Sequence, residues 1–325
     1  MIDAQGAGCI RVCERAPIWA CGTASPLRGR RQRRPTLSRR SQTIDIAQWT
    51  AVQARCGRHH HGGNRFHMPT PRANGCGQDL WAASTTCQAL PSIWRWGSKV
   101  STGKNQAPST RMSTAALIRE QLYKAKRYQG ELERAEKDED FDMPEFDMKC
   151  EALLPALRRE IQVHFHAHRA DDIFTAVRIA QEFQLDYVVV HGTEAHLIAG
   201  GLVETGTRVL SGPFLCDRSK PELRNQTPAT PGILSGAGVP TAIITDHPVI
   251  PIQYLPVCAG LAVREGMDYE EALRAITINP AKICGLDHRL GSLEVGKDAD
   301  LVLFDQDPLT IAAKPKMVIA GGKLV

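Results

Sequence analysis

A chain of 325 residues, 42% hydrophobic and 23% charged, suits one large α/β barrel or two ordinary domains. It contains no run of eighteen apolar residues, which excludes an ordinary membrane-spanning helix. The formal charge of +5 conceals an asymmetry: residues 1–104 hold sixteen Lys and Arg against four Asp and Glu, and the remainder twenty-four against thirty-one. Six of the ten cysteines lie within the first 87 residues and none forms a CxxC pair. Cys150, Cys216, Cys258 and Cys284 are expected to be reduced, partly buried thiols. No signal-peptide pattern follows Met1, since Gln5 and Arg11 to Arg15 interrupt any apolar run, so a cytoplasmic location is expected.

In chain order, residues 5–104 sustain neither a helical nor a strand period. They carry Arg28-Gly-Arg-Arg-Gln-Arg-Arg34, Arg39-Arg40 and His59-His-His61, with frequent Pro and Gly. Such a segment reads as an irregular, disordered basic arm. The pattern changes near Ser109. Residues 112–136 predict an amphipathic helix through Leu117, Ile118, Leu122, Tyr123 and Tyr128, capped by Ser113 or Thr114. An acidic loop, 137–144, leads to a second helix over 146–158.

A regular alternation then begins. Strands are predicted at 161–166, 186–191, 207–211 and 240–245, and helices at 170–183, 194–205, 231–236, 251–265 and 269–276. A polar loop occupies 216–230. Strands alternating with helices at this spacing imply parallel βαβ units. No glycine-rich phosphate fingerprint is present, so a barrel is preferred to a nucleotide fold. Residues 291–300 form a turn-rich link, and 301–304, 316–319 and 323–325 predict short antiparallel strands. The expected architecture is α/β: a partial TIM-like (β/α) barrel with a small C-terminal β-strand segment. Its divisions are 1–104, 105–286 and 287–325.

The chemistry sits at strand ends. His164-Phe-His166-Ala-His168 closes the first of these strands, His191 the second and Asp246-His247 the fourth. Barrel enzymes build their sites at the carboxyl ends of strands. One such histidine reads as readily as a hydrogen-bonded rim residue. Histidine, histidine and aspartate on three strands point to a common site of the zinc type.

These residues carry a resemblance. His166-Ala-His-Arg-Ala-Asp-Asp172, Val190-His-Gly-Thr-Glu194, Asp217-Arg-Ser-Lys-Pro-Glu-Leu-Arg224, Thr245-Asp-His-Pro248, Thr277-Ile-Asn-Pro-Ala281 and the Gly291–Asp300 link resemble the amidohydrolase superfamily. The likeness is to its imidazolonepropionase-like, metal-dependent members, and it covers about two-thirds of the chain. The resemblance implies that His166 is the fifth-strand metal ligand, His191 the sixth-strand ligand, and Asp246 the eighth-strand aspartate that binds metal and serves as catalytic base. His168, Arg169, His196, Arg218, Arg224 and His247 become candidates for contact with substrate or support of the ligands. The implied activity is hydrolysis of a C–N bond in a small-molecule amide or cyclic amide, with a divalent metal, zinc first. A homo-oligomer is compatible with it, and a membrane or nucleic-acid partner is not expected.

The pattern breaks at the start. Met1-Ile-Asp-Ala4 continues as Gln5-Gly-Ala where the family carries His-x-His, and no fourth-strand bridging Lys or Glu is identifiable. Residues 1–104 hold fourteen Arg and two Lys, as shifted frames of GC-rich codons produce. Shifting 56–66 by one nucleotide permits Gly-Val-Thr-Thr-Met-Val-Val-Thr-Gly-Ser, a strand typical of the family. Shifting 81–87 and 93–97 by two permits Gly-Arg-Val-Asp-Asp-Met and Leu-Ala-Leu-Gly. Three readings follow: a working amidohydrolase, a non-catalytic remnant with weak metal binding, or a basic arm that binds nucleic acid phosphates. The grouping of Cys56, His59 to His61 and Cys76 fits no zinc-finger spacing.

Overall fold

A computed structural model describes residues 19–20, 94–97, 108, 110–247 and 249–324. The expected disorder of the basic arm, its arginine cluster and its Cys/His grouping lie outside the described residues. The strands are β1 (Trp19–Ala20), β2 (Trp94–Gly97), β3 (Val163–Ala167), β4 (Tyr187–His191), β5 (Val209–Ser211), β6 (Thr241–Ile243), β7 (Leu301–Phe304), β8 (Pro315–Ala320) and β9 (Lys323–Leu324). The helices are α1 (Arg111–Ala135), α2 (Met148–Glu151), α3 (Leu154–Leu157), α4 (Ala170–Glu182), α5 (Ala199–Glu204), α6 (Thr230–Ala237), α7 (Leu255–Arg264), α8 (Tyr269–Arg274) and α9 (Ile278–Ile283).

β2 to β6 form one parallel sheet in sequential order, the topology of a partial (β/α) barrel. Both faces are covered, which is why the strands read as continuous apolar runs. Val163 and Phe165 pack beneath α1, α3 and α4. Val189 and Val209 pack against α4, α5 and α6. On the opposite face Val188, Val190, Leu210, Ala242 and Ile244 meet Ile283 of α9. Leu234 of α6 is 0% exposed against the sheet. Its replacement by alanine is expected to cost about 2–5 kcal/mol in urea unfolding; a loss under about 1 kcal/mol would mean that the α6 layer is not closed.

Local chemistry moves several boundaries from the expected ones. The α1 cap is Thr110, upstream of Ser113 and Thr114. Its hydroxyl accepts the Ser113 N–H at 3.1 Å, and Ser113 Oγ accepts the Thr110 N–H at 3.0 Å. The helix expected over 146–158 is two short ones. Asp147 caps α2, while Pro155, which has no N–H, lies in the first turn of α3. The segment after β4 opens as a 3-10 turn, Ala195–Ile198, before α5. Trp94–Gly97, inside the segment read as irregular, pairs in parallel with β3 and occupies an edge that would otherwise be unpaired.

The second sheet is antiparallel, in the order β1-β7-β8-β9. Asp300, at its entrance, accepts the Gly321 N–H with Oδ1 and so pins the β8–β9 turn. No helix among the described residues is long and apolar enough to cross a membrane.

Candidate active site

Parallel pairing puts the carboxyl ends of β3, β4 and β6 on one side of the sheet. His164 and His166 pair with Val188 and Val190, so both face the α9 side. His164 is 1% exposed and its Nε2 lies 3.1 Å from Gln162 Oε1, which makes it a core residue. His166, one pleat nearer the mouth, is half-buried.

His191 ends β4. Strict alternation would give it the face of Val189, away from His166. Its backbone instead turns left-handed, with φ 75°, and Gly192 follows at φ 54°. For a non-glycine residue this costs about 1–2 kcal/mol, strain of the kind that collects at functional sites. The turn brings His191 Nε2 within 3.0 Å of His166 Nδ1. Gly192 has to be glycine for a second reason: a Cβ would stand 2.8 Å from Val209 Cγ1.

The His191 tautomer follows from its other nitrogen. Nδ1 lies 3.0 Å from the Gly212 carbonyl, which can only accept. The proton therefore sits on Nδ1, and Nε2 presents its lone pair toward His166. His168 stacks on the His191 ring at 4.5 Å and 17°, and Thr193 Oγ1 at 2.9 Å orients it.

The other candidates are placed as follows. Asp246 and His247 are half-buried in the turn beyond β6, where Asp246 has φ 50° and its carbonyl accepts the Val249 N–H. Arg169 forms two hydrogen bonds with Asp171, at 2.9 and 3.0 Å, and these hold the Asp171 carboxyl below the usual carboxylate range. Burial lowers the His196 pKa, and its Nδ1 lies 3.0 Å from Thr230 Oγ1. Arg218 donates to the Gln226 carbonyl at 2.8 Å, and Arg224 is exposed. The structure thus brings His166, His168 and His191 together. Among the described residues no group of three His, Cys, Asp or Glu side chains is arranged to hold a metal. Thr193 lies inside the Val190–Glu194 motif, whereas Gly212, which orients His191, has only its place before Pro213 as a local trace.

A partial (β/α) barrel whose strand ends carry a set of facing imidazoles defines the structural class. The amidohydrolase family model matches residues 151–325. A solved amidohydrolase from Thermotoga maritima MSB8 is 41% identical with a TM-score of 0.66, over 71% of this chain and 62% of that one. The amidohydrolase tasK of Hapsidospora irregularis is 32% identical over 184 residues, 55% of this chain and 19% of that protein. Urease subunit alpha of Edwardsiella ictaluri (strain 93-146) is 61% identical over 49 residues, 15% of this chain and 8% of the subunit. The chain spans about a fifth of tasK and less than two-thirds of the Thermotoga protein. It belongs to the amidohydrolase family.

Proposed function

We propose that the mouth at the ends of β3, β4 and β6 is a hydrolytic centre for the C–N bond of a small-molecule amide or cyclic amide other than a peptide. The observation that carries this is the His166–His191 pair, held by the Gly212 carbonyl. Two nitrogens bound to one tetrahedral zinc at about 2.0–2.1 Å stand about 3.3 Å apart. The facing ring nitrogens lie at 3.0 Å, so the pair fits a divalent metal, zinc first.

In this reading His166 and His191 would hold the metal, with Asp246 in the turn beyond β6 as the third ligand that the resemblance implies. A bound divalent cation supplies Lewis acidity and lowers the pKa of the attacking water. Asp246 is the residue that would accept the proton of that water. His168, Arg169, His196, Arg218, Arg224 and His247 surround or support the substrate, and the exposed Arg224 suits one bearing a carboxylate. The catalytic unit is 105–286, with 287–325 as a separate strand segment, in a cytoplasmic protein. A second reading, a non-catalytic remnant, is favoured by Gln5-Gly-Ala standing where the resemblance places His-x-His.

Zinc titration of the full-length chain tests the assignment. Zinc is expected to bind weakly, to leave on dialysis, and to lose at least about tenfold in affinity in His191→Ala. Equal binding by wild type, His166→Ala and His191→Ala would sink the proposal. Amide turnover that disappears in Asp246→Asn selects the enzyme over the remnant.

A further inference from the structure

The geometry points to Glu194 as a positioning residue that registers three mouth loops around the histidine pair. Its purpose rests on the hydrolytic reading above, whereas the contacts stand independently of it. Glu194 follows β4 and is 7% exposed. Its backbone N–H donates to the His168 carbonyl at 2.8 Å. Its Oε2 accepts the Ala170 N–H at 2.9 Å, and its Oε1 accepts the Asn225 side-chain amide at 2.8 Å. One buried side chain therefore ties together the loops that follow β3, β4 and β5. Those loops carry His168, Thr193, and Arg218 with Arg224.

Physical chemistry explains why the tie is a carboxylate. The N-cap residue of α4, Arg169, makes no side-chain cap bond, and although Asp171 accepts the Asp172 N–H, the Ala170 N–H needs an acceptor from elsewhere. The helix N-terminus favours negative charge. Two donated hydrogen bonds offset the cost of burying it. On the far side, the 213–226 loop is closed at its neck by Gln226, whose Nε2 donates to the Pro213 carbonyl at 3.0 Å. That loop has one other charged anchor among the described contacts, Arg111 to Glu222 at 3.6 Å. Arg111 is 42% exposed, so water and salt weaken that anchor. The part-buried Glu194–Asn225 bond, made by a buried carboxylate, is the stronger hold.

The test uses the full-length chain as wild type, Glu194→Ala and Glu194→Gln. Limited trypsin cleavage at Arg218 and Arg224 is followed relative to the exposed, remote Arg264. Fixed-pH NMR follows the ring protons of His168 and His191, which shield each other while stacked. In Glu194→Ala, relative cleavage within the loop is expected to rise about tenfold, because a charge-assisted bond that closes it is lost. The ring protons are expected to move toward unstacked positions. Glu194→Gln, whose carbonyl still accepts one bond, is expected to return both readouts most of the way to wild type. Unchanged loop cleavage overturns the inference. So does an equal rise at all three sites, which means general unfolding, and so does a loosened loop with unmoved ring protons, which means a merely structural role. Failure of the hydrolytic reading appears separately, as zinc binding indifferent to His166 and His191.

Discussion

Replacing Gly212 by alanine is expected to cost about 3 kcal/mol or more and to release His191 from its set orientation. Gly212 has φ 140°, a conformation that side-chain-bearing residues rarely adopt. A Cβ there would run into the Ile244 carbonyl on the backbone just beyond β6, which cannot yield as a side-chain tip would. The strain accounts for about 1–3 kcal/mol and the overlap for a similar amount. The Gly212 carbonyl is also the group that keeps the proton on His191 Nδ1. Urea unfolding and the ring-nitrogen spectrum of His191 should therefore change together. A stability loss below about 1 kcal/mol with an unmoved His191 signal would refute the argument.

The second large effect is pH dependence from Asp300. This residue is 3% exposed, and its Oδ2 has no hydrogen-bond partner among the described residues. Burial raises its pKa to about 6, assisted by the charge of Asp298. The Gly321 N–H and Arg289 pull the other way. The folded-state value lies above the ordinary 3.8, so the folded chain binds the proton more tightly than the unfolded chain does. The Asp300 penalty is therefore absent below about pH 4. It grows as pH rises from about 4 to 6 and then levels off near 3 kcal/mol. In Asp300→Asn the amide oxygen can still accept from Gly321 and nothing titrates. Denaturant midpoints measured from pH 4 to 8 should lose this fall in the variant. An identical pH profile in wild type and Asp300→Asn would exclude Asp300 as its source.

Much of the fold was legible because its signals are local. The Val188-Val-Val190 run and the apolar spacing of 170–183 determine strand and helix over a few residues each, and β3 to β6 with α4 follow within a residue or two. The helix α9 was missed. Its Asn279-Pro280 reads as a turn, yet proline is harmless in a first turn whose N–H groups lack intrahelical partners anyway. In the site, His166 and His191 were legible as strand-terminal histidines. Glu194 ends the Val190–Glu194 motif, but its partner Asn225 is 31 residues away and no local period connects the two. Glu222 stands between Arg218 and Arg224 in sequence, yet it meets Arg111 at the start of α1.

The sequence by itself determined the parallel α/β alternation, the antiparallel tail and which strands end in chemistry-bearing groups, because periods of 2 and 3.6 residues are properties of neighbouring side chains. Only the tertiary structure decided which way those groups turn. His191 reaches His166 through a left-handed backbone that alternation does not foresee. Its tautomer is set by a carbonyl from the next strand, and the loop beside it is held by a carboxylate from another. These are contacts between strand ends brought side by side by sheet pairing, and their geometry exists only once the sheet has formed.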